Sequence, residues 1–188
     1  SGYPDAQNNL SNALAQRGQF NEAIEYCEKA INLDPSHVEA RCNLGNLLSK
    51  MKHPEAAIQS YKAALEIDPK NVTVLNNLGN ILSELKNFPA AIRCYENAVS
   101  SEPRNDEAWS QKIYLEAMIS NWSNIQNNEP RLNILGIDKN EVSPFSLLCA
   151  DDYPERQILR AKLWSKNKFK LEPLAPIQRP KVKPDRLN

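Results

Sequence analysis

An acidic residue followed by proline recurs in this chain at a fixed interval. Asp34-Pro35, Asp68-Pro69 and Glu102-Pro103 are each separated by 34 residues. Other positions return in the same register: Leu10, Leu44 and Leu78; Leu14, Leu48 and Leu82; Ala23, Ala57 and Ala91; Ile24, Ile58 and Ile92; Ala30, Ala64 and Ala98. A self-similar period of this length means one supersecondary unit copied along the chain, each copy burying its apolar face against the next. Three units follow, at 3–36, 37–70 and 71–104, with a partial fourth at 105–119. Small residues mark where paired helices touch, and larger apolar ones fill the space between.

Helix signals divide each unit in two. The spacing predicts helices over about 4–17 and 21–33, 38–51 and 54–67, 72–85 and 89–101, then 106–119. Pro54 and Pro89 suit a first helical turn, where a missing N–H costs little. Pro35, Pro69 and Pro103 follow helix ends, because the residue before proline is pushed away from helical geometry. The pattern resembles the tetratricopeptide repeat. That resemblance implies an all-α fold, a right-handed superhelix whose first (A) helices line a concave groove and whose second (B) helices lie outside. Residues 1–119 form the repeat region in this reading, 120–168 an irregular helical cap, and 169–188 an extended, proline-rich basic tail.

Asparagine is a poor helix former because its amide competes for nearby backbone groups. It nevertheless occupies two repeat positions throughout: Asn9, Asn43 and Asn77, and three residues on, Asn12, Asn46 and Asn80. Residues i and i+3 share a helix face, so the six amides form two rows on the A helices. An amide both donates and accepts hydrogen bonds. These rows suit the backbone of an extended peptide, gripped with little choice of side chain. For one row, bonds between neighbouring helices explain the amides equally well.

Charge and cysteine usage narrow the partners. The chain has 188 residues, 41% of them apolar, and balances 23 basic against 23 acidic residues. No global field then draws it to nucleic acid or a membrane surface, and no apolar run approaches the ~20 residues of a membrane helix. From Tyr153 to Asn188, ten basic residues face three acidic ones; Arg156, Arg160 and Lys162 read as a solvated helix face. Cys27, Cys42, Cys94 and Cys149 lack paired metal-ligand spacing, so free thiols, a cytoplasmic setting and no metal site are expected. The sequons at Asn71 and Asn121 are read as chance matches. His37 and His53 fall in repeat turns and are expected to be exposed. Some repeats of this family hold acidic C-terminal tails with Lys and Arg on the A helices. Here the third A helix has no cation and the first has only Arg17, which disfavours such a clamp.

The segment after the repeats carries a second resemblance. Asn121-Trp122, "VSPFSLL" at 142–148, "DYPERQILRAKLW" at 152–164 and a basic stretch ending "KPDRLN" are similar to the protein O-GlcNAc transferases and their Spindly-type relatives. This likeness implies that the repeats present acceptor polypeptides, with Asn9, Asn43 and Asn77 matching the family's asparagine ladder. It also implies that nucleotide-sugar-binding catalytic lobes begin after Asn188. In animal enzymes, histidines occupy the segment matching Ser143–Ser146; here it reads Ser, Pro, Phe, Ser, and no catalytic histidine carries over. No catalytic residue and no cofactor is expected within these 188 residues. Trp122, Ile125, Leu132 and Phe145 are expected to cover the last repeat. Two alternatives stand beside this reading: a non-enzymatic adaptor whose groove binds a partner peptide or helix, and a homo-oligomerisation module.

Overall fold

The computed structural model describes residues 3–121, 132–137, 147, 148, 150 and 153–169. The described part is all helical. Seven helices stack as antiparallel pairs: α1 (Pro4–Gln16) with α2 (Phe20–Leu33), α3 (Val38–Lys50) with α4 (Pro54–Ile67), α5 (Val72–Glu84) with α6 (Phe88–Ser101), and α7 (Asp106–Met118) packed on α6. An eighth, α8 (Pro154–Phe169), follows the repeats. The result is an all-α superhelical stack, with helix bounds within a residue or two of those the sequence predicts.

The same residue chemistry starts and stops each unit. At the heads of α5 and α7, Asn71 and Asn105 accept hydrogen bonds from the backbone N–H of Val74 and Ala108, at 3.1 and 2.9 Å. At the equivalent position before α3, His37 Nδ1 accepts from Ala40 N–H at 3.4 Å, while its Nε2 lies 3.2 Å from Asp5 Oδ1 of α1. His37 is therefore half-buried and ties two repeats together, whereas His53 is exposed as expected. Asn71, the first residue of a sequon, caps α5 and donates to Asp68 Oδ2 at 3.0 Å, so its amide nitrogen is already engaged.

Each A helix ends in one left-handed residue, at Gly18, Lys52, Lys86 and Ser120, with φ of 78°, 64°, 60° and 60°. The next N–H returns to the A-helix carbonyl five residues back, including Asn121 to Glu116 after α7. The repeat's turn is thus made four times.

Ala23, Ala57, Ala91, Ala30, Ala64 and Ala98 are fully buried where paired helices meet. Beyond α7, Ile113 and Ala117 pack with Leu132, Leu135 and Leu147. Leu132 covers the last repeat as the sequence suggests; Trp122, Ile125 and Phe145 lie outside the described residues, as does the tail from 170. Arg160 departs from expectation. It is 0% exposed, donating from its Nε to the carbonyl of Leu135 at 2.7 Å and from its guanidinium to that of Leu132. It fastens α8 to the capping segment instead of facing water.

Candidate functional site

The A-helix face carries two adjoining depressions. The first, about 320 Å³, is lined by Asn12, Val38, Glu39, Cys42, Asn43, Asn46, Asn71, Thr73 and Val74. The second, about 310 Å³, is lined by Asn46, Ser49, Lys50, Tyr61, Asn77, Asn80, Ile81 and Glu84. Five of the six asparagines border this trough, and Asn46 borders both halves. Asn9 is exposed and borders neither.

The amides are not equivalent. Asn46 Oδ1 accepts from the Tyr61 hydroxyl at 2.7 Å and from Asn77 Nδ2 at 2.9 Å. Asn80 Oδ1 accepts from the Tyr95 hydroxyl at 2.6 Å. Asn43 Nδ2 donates to Asn8 Oδ1 at 2.8 Å, and Asn77 Nδ2 also approaches Cys42 Sγ at 3.7 Å. Asn12 is exposed. The rows stitch helices together, as considered for one row from the sequence, and five of the six amides border the trough.

Tyrosines on the B helices create this arrangement. Tyr61 and Tyr95 lie almost fully buried, their rings close against Gly45 and Gly79. A Cβ at Gly45 would sit 2.5 Å from the Tyr61 ring, and one at Gly79 2.8 Å from that of Tyr95. Burial pushes both phenols well above their ordinary range, with the Glu107 and Glu84 carboxylates adding to it at Tyr95, so each hydroxyl keeps its proton to donate. The first unit has exchanged the pair. Ser11 stands where Gly45 and Gly79 stand, Cys27 where the tyrosines stand, and Ser11 Oγ lies 3.0 Å from Cys27 Sγ. The two 34-residue pairings, Gly45 with Gly79 and Tyr61 with Tyr95, are visible in the sequence, but periodicity alone does not mark them as part of the site. Asn8 had no such signal, since its counterparts are Cys42 and Asn76.

The trough holds little net charge. Glu39, Glu84 and Lys50 are its ionisable carboxylates and cation. Arg41 is drawn away, its guanidinium donating to the Pro35 carbonyl at 2.8 Å; Trp109, its counterpart two units on, donates to Pro103 at 3.1 Å. Burial raises the Cys42 thiol, with the Asn77 amide opposing in part, so it remains a neutral wall group.

Residues 3–70, 55–86 and 72–105 match profiles described as tetratricopeptide repeat or TPR repeat. No curated protein matches the chain. Among solved structures, it is similar to pilF of Pseudomonas aeruginosa, with a TM-score of 0.66 and 25% identity, over 87% of this chain and 75% of that one. It is also similar to the first TPR of Spaghetti (RPAP3), solved with the HSP90 peptide SRMEEVD. That match has a TM-score of 0.60 and 19% identity, over 62% of this chain and 93% of the other. The Sgt2 TPR domain from Aspergillus fumigatus gives 0.52 and 21%, over 55% and 69%. The likeness of 120–165 to the O-GlcNAc transferases gains no support from these matches, and of the motifs that carry it only 152–164 lies largely within the described residues.

Proposed function

Because residues 3–105 of this chain belong to the tetratricopeptide repeat family, we propose that it is a protein-binding adaptor whose A-helix trough takes an extended peptide. The observation that carries this reading is the pair of depressions that meet at Asn46, bordered by Asn12, Asn43, Asn46, Asn77 and Asn80. The amides suit backbone N–H and C=O, and Val38, Val74 and Ile81 supply apolar floor. The HSP90 peptide on the Spaghetti domain is acidic; the present trough, with Glu39 and Glu84 against Lys50, suits a neutral or basic segment better. Among the described residues, no helix is long and apolar enough to cross a membrane.

The adaptor reading needs only the trough. The finer assignment, in which the repeats hand acceptor polypeptides to a nucleotide-sugar-dependent O-glycosyltransferase, rests only on the resemblance carried by the short motifs at 121–122, 142–148 and 152–164, the basic stretch ending at 188 and the row of Asn9, Asn43 and Asn77.

The test uses a random twelve-residue peptide display library selected on the whole chain, with affinities measured by fluorescence anisotropy. Thr73 is exposed on the first depression, so Thr73→Trp fills the trough from its rim without entering the core. Binding is expected to fall about tenfold or more with the melting temperature unchanged. Glu66→Ala, on the exposed face of α4, is expected to change neither. Equal binding by Thr73→Trp and the parent chain would place the peptide elsewhere.

A further inference from the structure

Asn46 and Asn77 bond side by side across the contact between α3 and α5. Asn46 Oδ1 receives two donors, the Tyr61 hydroxyl and Asn77 Nδ2, which occupy both of its lone pairs. What Asn46 offers the trough is N–H: its Nδ2 also approaches Cys42 Sγ at 4.0 Å, and an amide nitrogen has a second hydrogen to give. Asn77 turns its nitrogen toward Asn46 and Cys42 and offers the trough its oxygen. A donor and an acceptor thus stand next to each other, and both line the second depression.

We propose that Asn46 and Asn77 form a polarised amide couple, oriented by Tyr61, that binds one residue of a strand-like peptide through that residue's own C=O and N–H. In an extended chain the N–H and C=O of a single residue point the same way, as they do in the bonded pairs of an antiparallel sheet. The couple matches that pattern. A carboxylate terminus presents acceptors only and leaves the Asn77 oxygen unmatched.

The repeats supply their own comparison. In the first unit the tyrosine is replaced by Cys27; Asn12 is exposed, and Asn43 turns to Asn8 instead. In the third unit Tyr95 holds Asn80, but the next A helix carries Gln111 where Asn43 and Asn77 stand, and Gln111 lines neither depression. The couple is complete only where tyrosine, its asparagine and the following asparagine coincide, which happens once, at 61, 46 and 77. Tyr61 is accordingly a positioning residue that sets specificity without lining up any charge.

This inference rests on the trough reading above, and its test separates the two. Peptides selected on the whole chain are resynthesised with single backbone esters, each replacing one N–H by oxygen. One position is expected to lose about tenfold in affinity, the value of a single hydrogen bond. Amidating the peptide C-terminus should change nothing. Tyr61→Phe should weaken the unmodified peptide several-fold and flatten the ester scan at the sensitive position; Tyr95→Phe should leave that position sensitive. Asn46→Asp still accepts from Tyr61 and Asn77 but offers no N–H. It should bind about tenfold more weakly at an unchanged melting temperature, so the inference stays testable if Tyr61→Phe folds poorly. An ester scan without a sensitive position, a scan that Tyr61→Phe leaves intact, or affinity that follows the terminal carboxylate overturns the couple. Failure to recover any peptide on the parent chain, or peptides indifferent to Thr73→Trp, overturns the trough reading and the couple with it.

Discussion

At the scale of the residue, asparagine in these helices is explained by what it meets. A helix interior that carries Asn loses a few tenths of a kcal/mol per residue relative to Ala. Asn46 and Asn80 offset this by accepting hydrogen bonds from buried phenols, which would otherwise be left without partners. Replacing all the trough asparagines by Ala, stabilising if the amides only faced solvent, should therefore destabilise at these two positions. The glycines facing those rings carry a sharper consequence. Ala normally gains about 1 kcal/mol over Gly in a helix, yet a Cβ at Gly45 would lie 2.5 Å from a ring that is 2% exposed. Overpacking of this kind costs about 1–3 kcal/mol. Gly45→Ala should lower the melting temperature measured by circular dichroism. Gly45→Ser with Tyr61→Cys, which copies the Ser11 and Cys27 arrangement of the first unit, should recover part of the loss while weakening peptide binding. The period announced that Gly45 and Tyr61 each recur. It could not announce that they touch, because contact between an A and a B helix is set by how far each side chain reaches across the pair.

At the scale of the element, α7 keeps the repeat's frame and changes its interior. Leu44 and Leu48, and Leu78 and Leu82, occupy two positions four residues apart on the A helices. In α7 these become Lys112 and Glu116, an ion pair at 3.4 Å with the glutamate 0% exposed, and the ammonium also lies over the Trp109 ring at 5.2 Å. The substitution was legible in the sequence as charge where leucine was due; that both charges would be buried was not, since i and i+4 charges usually sit on a wet face. A buried pair is costly to break and often cheap to replace whole. Lys112→Leu alone takes one cation from the buried Glu116 carboxylate and should destabilise, by up to about 3 kcal/mol. Lys112→Leu with Glu116→Leu restores the residues that three other units use, and should lie closer to the parent chain than the single change does. Chemical denaturation of the four members of this double-mutant cycle measures the coupling, expected at roughly 1–3 kcal/mol. A double variant less stable than the sum of its singles would show that the charges serve some purpose besides each other.

At the scale of the whole molecule, the period made the repeat half readable and gave no help past α7. Within the repeats, every unit meets nearly the same surroundings, so one unit's pattern fixes the next. The capping segment has no copy of itself, and its periodicity misleads: Ile158 and Leu159 look like core and are 54% and 41% exposed, while Arg160 looks solvated and is buried. Arginine is tolerated there because its planar fork satisfies two backbone carbonyls that no helix ladder reaches. This makes Arg160 the place where the cap can be released without touching the trough. Arg160→Met preserves much of the volume and removes the donors, leaving the carbonyls of Leu132 and Leu135 without this partner. Units of a solenoid contact only their neighbours, so damage at one end should not travel far. Hydrogen exchange followed by mass spectrometry should show faster exchange in 132–137, α8 and the last turn of α7, with α1 to α4 unchanged and peptide affinity at the trough retained. Exchange that rises evenly from α1 to α8 would mean instead that the cap and the repeats unfold as a single cooperative body.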